Sequence, residues 1–190
     1  VDAVSVVVSS ISNVSCFNGS NGAINIVASG GTAPYSFDWG GGVNTQNRTG
    51  LTAGSYSVSV SDVNSCTTVI SAVVSQPAGA LSVTAVTTPV SCFGGSNATI
   101  STTTTGGTSP YNYLWNGGVA TPNRNGLSAG SYSLTVTDAN SCTTSASATI
   151  VQPTALVASS VATDVLCSGG NDGSVNFTVV GGTSGYTFNW

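Results

Sequence analysis

The residues best suited to chemistry in this chain of 190 residues are five cysteines, whose spacing repeats. Cys16 and Cys66 lie 50 residues apart, as do Cys92 and Cys142, and Cys167 follows without a partner. This spacing predicts one disulfide bond per repeat, Cys16 with Cys66 and Cys92 with Cys142, and it leaves Cys167 unpaired because we expect its repeat to be cut short. Closing a loop of about 50 residues stabilises a small domain by about 4 kcal/mol in the chain-entropy model.

Two other arrangements fit the same cysteines. A bond between Cys66 and Cys92 would cross the repeat boundary and join neighbouring repeats, and buried free thiols would suit a cytosolic protein. Spacing alone does not decide connectivity. Because disulfide bonds persist in oxidising compartments, the predicted pairing indicates an extracellular location.

Catalytic groups are scarce in this sequence. It contains no His, no Lys and no Glu, so it cannot build a Ser-His-Asp triad, a Ser-Lys dyad or a Schiff base. Asp62 recurs as Asp138, but Asp38 is replaced by Leu114 in the next repeat, so no pair of carboxylates recurs. We therefore predict that this segment is not an enzyme, that it has no catalytic residues and that it needs no cofactor.

Metal binding has one candidate. Asp62-Val63-Asn64 and Asp138-Ala139-Asn140 place spaced oxygen atoms in a loop just before a cysteine, which would suit calcium. The same residues also suit a tight turn in which Asp bonds its own backbone, and too few carboxylates converge to favour the ion. Zinc is disfavoured because the cysteines are single and histidine is missing. The prediction is that no metal is bound.

Charge and hydropathy exclude two classes of partner. The formal net charge is -4 with only two basic residues, so there is no footprint for nucleic acid or for an anionic membrane surface. The longest run of Val, Leu and Ile, Val6 to Val8, is far shorter than the roughly 20 apolar residues of a membrane-spanning helix. We expect neither nucleic-acid binding nor membrane insertion in this segment.

The whole sequence repeats at an offset of 76 residues, and more than half of the aligned positions of 14–78 and 90–154 are identical. A third copy begins near Cys167. Such self-similarity is typical of tandem modules. We predict module 1 at 1–77, module 2 at 78–153 and the first part of a truncated module 3 at 154–190, all within a longer array.

Short β-branched runs between Gly, Pro, Asn and Ser clusters predict an all-β fold. Six or seven strands in a module of about 76 residues fit an Ig-like β-sandwich, and short linkers at Gln76-Pro77 and Gln152-Pro153 favour tandem modules arranged as a rod. The strands predicted for module 2 are Leu81–Val86, Ala98–Thr104, Tyr111–Trp115, Val119–Asn123, Ser131–Thr137 and Thr143–Val151.

Alternation along these strands indicates which side chains form the core. Trp39, Trp115 and, by repetition, Trp190 end an alternating aromatic strand, so we predict that each tryptophan packs in the core near the disulfide; stacking on a glycan is the functional alternative. Tyr56 and Tyr132 follow Gly-Leu-x-Ala-Gly-Ser at a strand entry, a pattern typical of a tyrosine corner.

Two arginines, Arg48 and Arg124, occupy the same position in modules 1 and 2. They are predicted to lie on an exposed edge or loop. Either an inter-module salt bridge to an Asp or a solubilising edge charge would explain them, and the second is favoured.

Four motifs recur in a fixed order: V-S-C-F-x-G-S-N, G-G-T-x-P-Y, G-L-x-A-G-S-Y-S and D-x-N-S-C-T-T. In this order they resemble the SprB repeat, and the resemblance covers nearly the whole chain. It implies an Ig-like sandwich in a very large surface adhesin of gliding Bacteroidota, exported by the type 9 secretion system. Gly185 departs from the pattern where Pro34 and Pro110 stand, and Ser168 where the others have Phe.

The sequence thus predicts a structural stalk segment of a long filamentous cell-surface adhesin, attached to the outer membrane. Expected partners are neighbouring modules of the same chain, the gliding or secretion machinery, and extracellular polysaccharide or substratum. A carbohydrate-binding accessory module of an extracellular enzyme and a self-polymerising fibre subunit are the alternatives.

Overall fold

The computed structural model describes residues 2–189, and regular structure in that part of the chain consists of β-strands alone. The all-β prediction is confirmed. The fourteen strands are β1 Ser5–Ser12, β2 Gly22–Ser29, β3 Ser36–Asp38, β4 Arg48–Leu51, β5 Gly54–Ser61, β6 Thr67–Val74, β7 Ser82–Thr88, β8 Ala98–Thr105, β9 Asn112–Trp115, β10 Arg124–Leu127, β11 Gly130–Thr137, β12 Thr143–Ile150, β13 Val157–Thr163 and β14 Ser174–Val180.

Each complete module contributes two three-stranded sheets. The order is β1-β2-β4 and β3-β5-β6 in the first module, and β7-β8-β10 and β9-β11-β12 in the second. The described pairings are antiparallel, with an irregularity in β1 between Val8 and Ser10. In the third module the structure describes the antiparallel pair β13-β14.

The core of the first module lies between its two sheets. Along β2, Ile24 and Ile26 are buried, and along β5 Val58 and Val60 are buried, so alternate residues face inward as predicted. The intervening polar side chains remain at least partly exposed, which keeps a chain with so few charges in contact with water through Ser, Thr and Asn. The alternation therefore sets the two-layer arrangement that the β-sandwich prediction requires.

The second module repeats this pattern at equivalent positions. Ile100 of β8 and Leu134 and Val136 of β11 are buried, as is Ile150 at the end of β12. Five of the six strands predicted for this module occur within two residues of their predicted ends. Burial of equivalent positions shows that the two copies are structural duplicates.

The strand predicted at Val119–Asn123 is wrong. Gly117 and Gly118 take positive φ values of 86° and 81° and reverse the chain after β9. The Trp115 amide then donates to the Val119 carbonyl at 2.9 Å, so the segment folds back on its own tryptophan rather than pairing with another strand. The next strand, β10, begins at Arg124.

Contacts divide the chain into two compact units, which do not coincide with the modules. The first runs up to Val83 and includes Thr104–Asn112 and Val136–Thr144; the second contains Thr84–Thr103, Tyr113–Thr135 and the described residues from Ser145 onward. Residues at one end of module 2 thus form part of the unit built on module 1.

None of the residues from 2 to 189 belongs to a helix that is long and apolar enough to cross a membrane.

Candidate functional site: the disulfide junction

The disulfide bond of this structure joins two modules. Cys16 of module 1 is bonded to Cys142 of module 2, with 5.8 Å between their Cα atoms, and both residues lie in the first compact unit. Cys66, Cys92 and Cys167 are free and exposed. The predicted pairs Cys16 with Cys66 and Cys92 with Cys142 are therefore wrong, and so is the alternative pair Cys66 with Cys92.

The length of β6 explains why the pair within module 1 does not form. Cys66 directly precedes β6, whereas the Cys16 turn lies beside its far end, where the Val14 amide donates to the Ser75 carbonyl at 2.9 Å. The eight residues of β6 span about 25 Å at roughly 3.3 Å per residue. A disulfide tolerates only about 7 Å between Cα atoms, so these two cysteines cannot meet.

Asn140 positions the junction. Its Nδ2 donates to the Ser15 carbonyl and to Thr108 Oγ1, each at 3.0 Å. One side chain thereby joins the backbone of module 1 to a turn of module 2. This hydrogen bond sets the Cys142 turn beside Cys16, where Cys142 Sγ lies 3.5 Å from the Ser15 carbonyl oxygen.

Asp138 shapes the turn that carries Cys142. Its Oδ1 accepts from the amides of Asn140 at 2.9 Å and Cys142 at 2.8 Å, and its Oδ2 accepts from the Thr108 amide at 2.9 Å. Burial disfavours the charged carboxylate, but the three backbone donors outweigh this and lower the pKa of Asp138 below its usual value. The carboxylate therefore acts as a backbone acceptor that holds the turn.

The same carboxylate arrangement recurs in module 1. Asp62 accepts from the amides of Asn64 and Cys66 at 2.9 Å and from the Thr32 amide at 3.0 Å. Its pKa is again lowered, because these donors outweigh the effect of burial. The turn-capping interpretation of the Asp-x-Asn motif thus describes this geometry, and the backbone amides occupy the carboxylate oxygens that calcium would need.

Glycine permits the close approach at this turn. Gly107 has a φ of 61°, and a Cβ there would lie 2.8 Å from Asp138 Oδ2. Gly31 has a φ of 59°, and its Cβ would lie 2.9 Å from Asp62 Oδ2. The second glycine of the recurrent Gly-Gly-Thr motif therefore leaves room for the aspartate, because a side chain there would displace the carboxylate.

Over the described residues 2–189, no group of three or more His, Cys, Asp or Glu side chains is arranged to hold a metal ion.

Each complete module contains an arginine held between two aromatic rings. The Arg48 guanidinium carbon lies 5.7 Å from the Trp39 ring centroid and 5.2 Å from that of Tyr56. Neither the edge-charge nor the salt-bridge interpretation anticipated this contact. Trp, Arg and Tyr recur in the same order in both modules, and this was the signal in the sequence that could have indicated the contact. The spacing along the chain did not show that the two rings lie against the guanidinium group.

The arrangement is the same in module 2. The Arg124 guanidinium lies 5.8 Å from the Trp115 ring centroid and 5.1 Å from that of Tyr132. Cation–π attraction of this kind contributes about 0.5–2 kcal/mol, more where water is excluded. The stack therefore links three separate strands, β9, β10 and β11.

The two corner tyrosines bond back to the backbone four residues upstream. Tyr56 donates to the Thr52 carbonyl at 2.9 Å and Tyr132 to the Ser128 carbonyl at 3.0 Å. These are the backbone contacts expected of a tyrosine corner. Each phenol thus fixes the strand entry while its ring supports the arginine.

The tryptophans differ in burial. Trp115 is 2% exposed and donates Nε1–H to the Thr121 carbonyl, whereas Trp39 is half-buried against the core and donates to the Thr45 carbonyl, each at 2.8 Å. Both side chains pack against the core as predicted, but no disulfide forms inside module 1 or module 2, so the intramodule disulfide that they were expected to lie near is absent there. Trp190 lies outside the described residues.

A comparison with family models matches the SprB repeat at three segments, residues 8–44, 84–120 and 159–190, which together make up more than half of the chain. The chain belongs to the SprB repeat family. Each match begins inside the first strand of a module, β1, β7 or β13, so the family repeat and the structural repeat agree in register. A search of curated proteins finds no match to this SprB-repeat chain. Its disulfide bond is typical of proteins that fold in an oxidising, extracellular environment.

Proposed function

We propose that this chain is a structural segment in the stalk of a cell-surface adhesin, displayed outside the cell. The observation that carries the proposal is the covalent bond between Cys16 and Cys142, which joins successive modules and not the two halves of one module. A cross-link of this kind carries tension from one module to the next without relying on the peptide linker. A stalk requires this mechanical continuity between its modules.

The recurrent side chains support the same proposal. Asp138, Arg124 and Tyr132 are each engaged with their own module, as are their counterparts in module 1. What the repeats have in common is therefore architecture, and we propose that this segment has no catalytic role and needs no cofactor. We further propose that the adhesin serves gliding motility, that the type 9 secretion system exports it, and that neighbouring modules and the gliding machinery are its partners.

A carbohydrate-binding module is less well supported. Trp115 is 2% exposed and cannot stack on a sugar, and Trp39 carries Arg48 over its ring. Loss of glycan binding in Trp39→Ala, with the fold retained, would favour that alternative over the stalk.

The stalk proposal is tested in the native cell by deleting the codons for residues 78–153, which removes one repeat in frame. The expected result is a shorter surface filament in electron micrographs, with adhesion and export retained. Unchanged filament length combined with lost adhesion would overturn the proposal. Tracking of antibody-labelled adhesin along the cell, in wild-type and secretion-deficient strains, tests the gliding and export proposals separately.

A further inference from the structure

The Ser-Cys-Phe turn occurs in both complete modules, in different surroundings. Ser15 and Cys16 are half-buried at the junction, whereas their counterparts Ser91 and Cys92 are exposed. The neighbouring phenylalanines follow the same trend, since Phe17 is 38% exposed and Phe93 is 59% exposed. Module 1 has its turn covered by module 2, and the equivalent turn of module 2 is uncovered.

The partner turns show the complementary difference. Cys142 is half-buried and bonded, whereas Cys66 is exposed and free. Asn140 bonds both Thr108 and the Ser15 carbonyl, while Asn64 bonds Thr32 Oγ1 within module 1 at 3.1 Å. The Asn64 amide thus makes the contact within its own module. It is also placed to donate to the backbone of a preceding module, as Asn140 does to the Ser15 carbonyl.

A groove beside Cys92 has several walls equivalent to those of the occupied junction. Its walls include Cys92, Phe93, Leu156 and Gly182, where the occupied junction has Cys16, Phe17, Leu81 and Gly107. The groove at Cys92 has a volume of about 520 Å³, compared with about 170 Å³ where Asp138 and Cys142 fill the equivalent space.

The third module already presents its share of this site. The Gly182 amide donates to the Thr154 carbonyl at 2.8 Å, as the Gly107 amide does to the Gly79 carbonyl at 3.0 Å. Gly181 and Gly182 have φ values of 77° and 62°, close to those of the equivalent glycine pairs in modules 1 and 2, in which the second glycine lies against an aspartate. The Gly-Gly-Thr turn of module 3 is therefore built to accept an Asp-x-Asn-Ser-Cys turn.

We propose that the groove at Cys92 receives the Asp-x-Asn-Ser-Cys turn of a completed third module, and that the first cysteine of each module bonds to the second cysteine of the next. By the same rule, Cys66 pairs with the first cysteine of a preceding module. Each bond forms as two thiols lose two protons and two electrons to an exchange partner disulfide, which becomes a dithiol.

Overlap between successive bonds is the consequence of this rule. The bond from Cys16 closes at Cys142, and the bond from Cys92 begins 50 residues before that point. Neighbouring disulfide loops therefore overlap along the sequence. Every peptide bond inside the array lies within at least one such loop. The inference rests on the geometry of the junction and does not depend on the proposed stalk function.

The test extends the 190-residue chain after Trp190 with a copy of residues 116–153, which completes the third module and supplies one new cysteine. Cys92 and Cys167 then compete for that cysteine. The expected result in non-reducing peptide mapping is a bond from Cys92 to the grafted cysteine, with Cys167 still open to alkylation. A bond from Cys167 to the grafted cysteine, or complete alkylation of Cys92, would overturn the proposal.

The matched control carries Cys142→Ser in the grafted copy alone, and Cys92 should then be alkylated fully. If the extended chain does not fold, mapping of the 190-residue chain still decides the rule. Bonded Cys16 and Cys142 with alkylated Cys66, Cys92 and Cys167 supports it, and any bond from Cys16 to Cys66 contradicts it. Neither result depends on filament length or adhesion, so failure here is distinguishable from failure of the stalk proposal.

Discussion

The Asn140 side chain donates to the Ser15 carbonyl at 3.0 Å across a sequence separation of 125 residues. Beside it, the disulfide closes between Cys16, the residue after Ser15, and Cys142, two residues after Asn140. The hydrogen bond is the non-covalent part of the junction, and the disulfide beside it is the covalent part. The same two turns thus carry both the hydrogen bond and the cross-link.

Cys142→Ser should destabilise the chain far more than Cys92→Ser. The bond closes a loop with a sequence separation of 126 residues, which contributes about 5 kcal/mol in the chain-entropy model. The measurement is the denaturant midpoint under non-reducing conditions. Cys92→Ser is the matched control because Cys92 is free and exposed. Equal destabilisation by both variants would indicate bonding within modules instead.

A protease site inserted at the exposed Ala78, between the modules, should leave the cut chain in one piece until reductant is added. The Cys16–Cys142 bond spans that position, so the two fragments remain connected. Non-reducing and reducing gels of the cut protein measure this. A site inserted at Thr154, outside the loop, is the control and should release its fragment without reductant. Separation of the modules at Ala78 without reductant would contradict the structure.

Arg124→Ala should lower the free energy of unfolding by about 1–2 kcal/mol, because the guanidinium loses two aromatic contacts, Trp115 and Tyr132. Arg124→Lys should recover only part of this, since an ammonium group lacks the planar face that stacks on a ring. Urea unfolding followed by near-UV circular dichroism gives both values. Asn125→Ala, at the exposed neighbouring position, is the control and should be close to neutral.

Stability should fall as the pH drops below about 4, because the folded state lowers the pKa of Asp62 and Asp138. A carboxylate whose pKa is lower in the folded state than in the unfolded state stabilises the fold at pH values above its unfolded pKa. That stabilisation is lost as the pH falls through the pKa of the folded state. Urea midpoints between pH 2 and pH 7 measure the effect. The double variant Asp62→Asn and Asp138→Asn should be less stable at pH 7 and should vary less with pH.

Asp164→Asn, at an exposed position, is the control for this pH series and should retain the acid-dependent loss. An unchanged pH profile in the double variant would show that the two carboxylates do not account for the acid sensitivity.

Much of the architecture was predictable from local pattern. Strand alternation predicts inward-facing residues at every second position, and Val58 and Val60 are buried in that way, because successive residues of a strand point to opposite faces wherever the strand lies. The glycine and tyrosine spacing predicted a tyrosine corner, and the bond from Tyr56 to the Thr52 carbonyl has the form of one. The strand predicted at Val119–Asn123 failed because a pair of glycines reverses the chain there, a local geometry that β-branched composition does not reveal.

The disulfide partner was decided by tertiary structure alone. In a repeat of 76 residues, the spacing from Cys16 to Cys66 and the spacing from Cys16 to Cys142 differ by one full period, so periodicity favours both equally. Distance in space separates them: β6 holds Cys66 about 25 Å from the Cys16 turn, while the next module brings Cys142 to 5.8 Å. The sequence by itself determined the module, its strands and its inward faces. Only the folded chain could determine which cysteines meet, because a stiff strand keeps apart residues that sequence spacing would allow to pair.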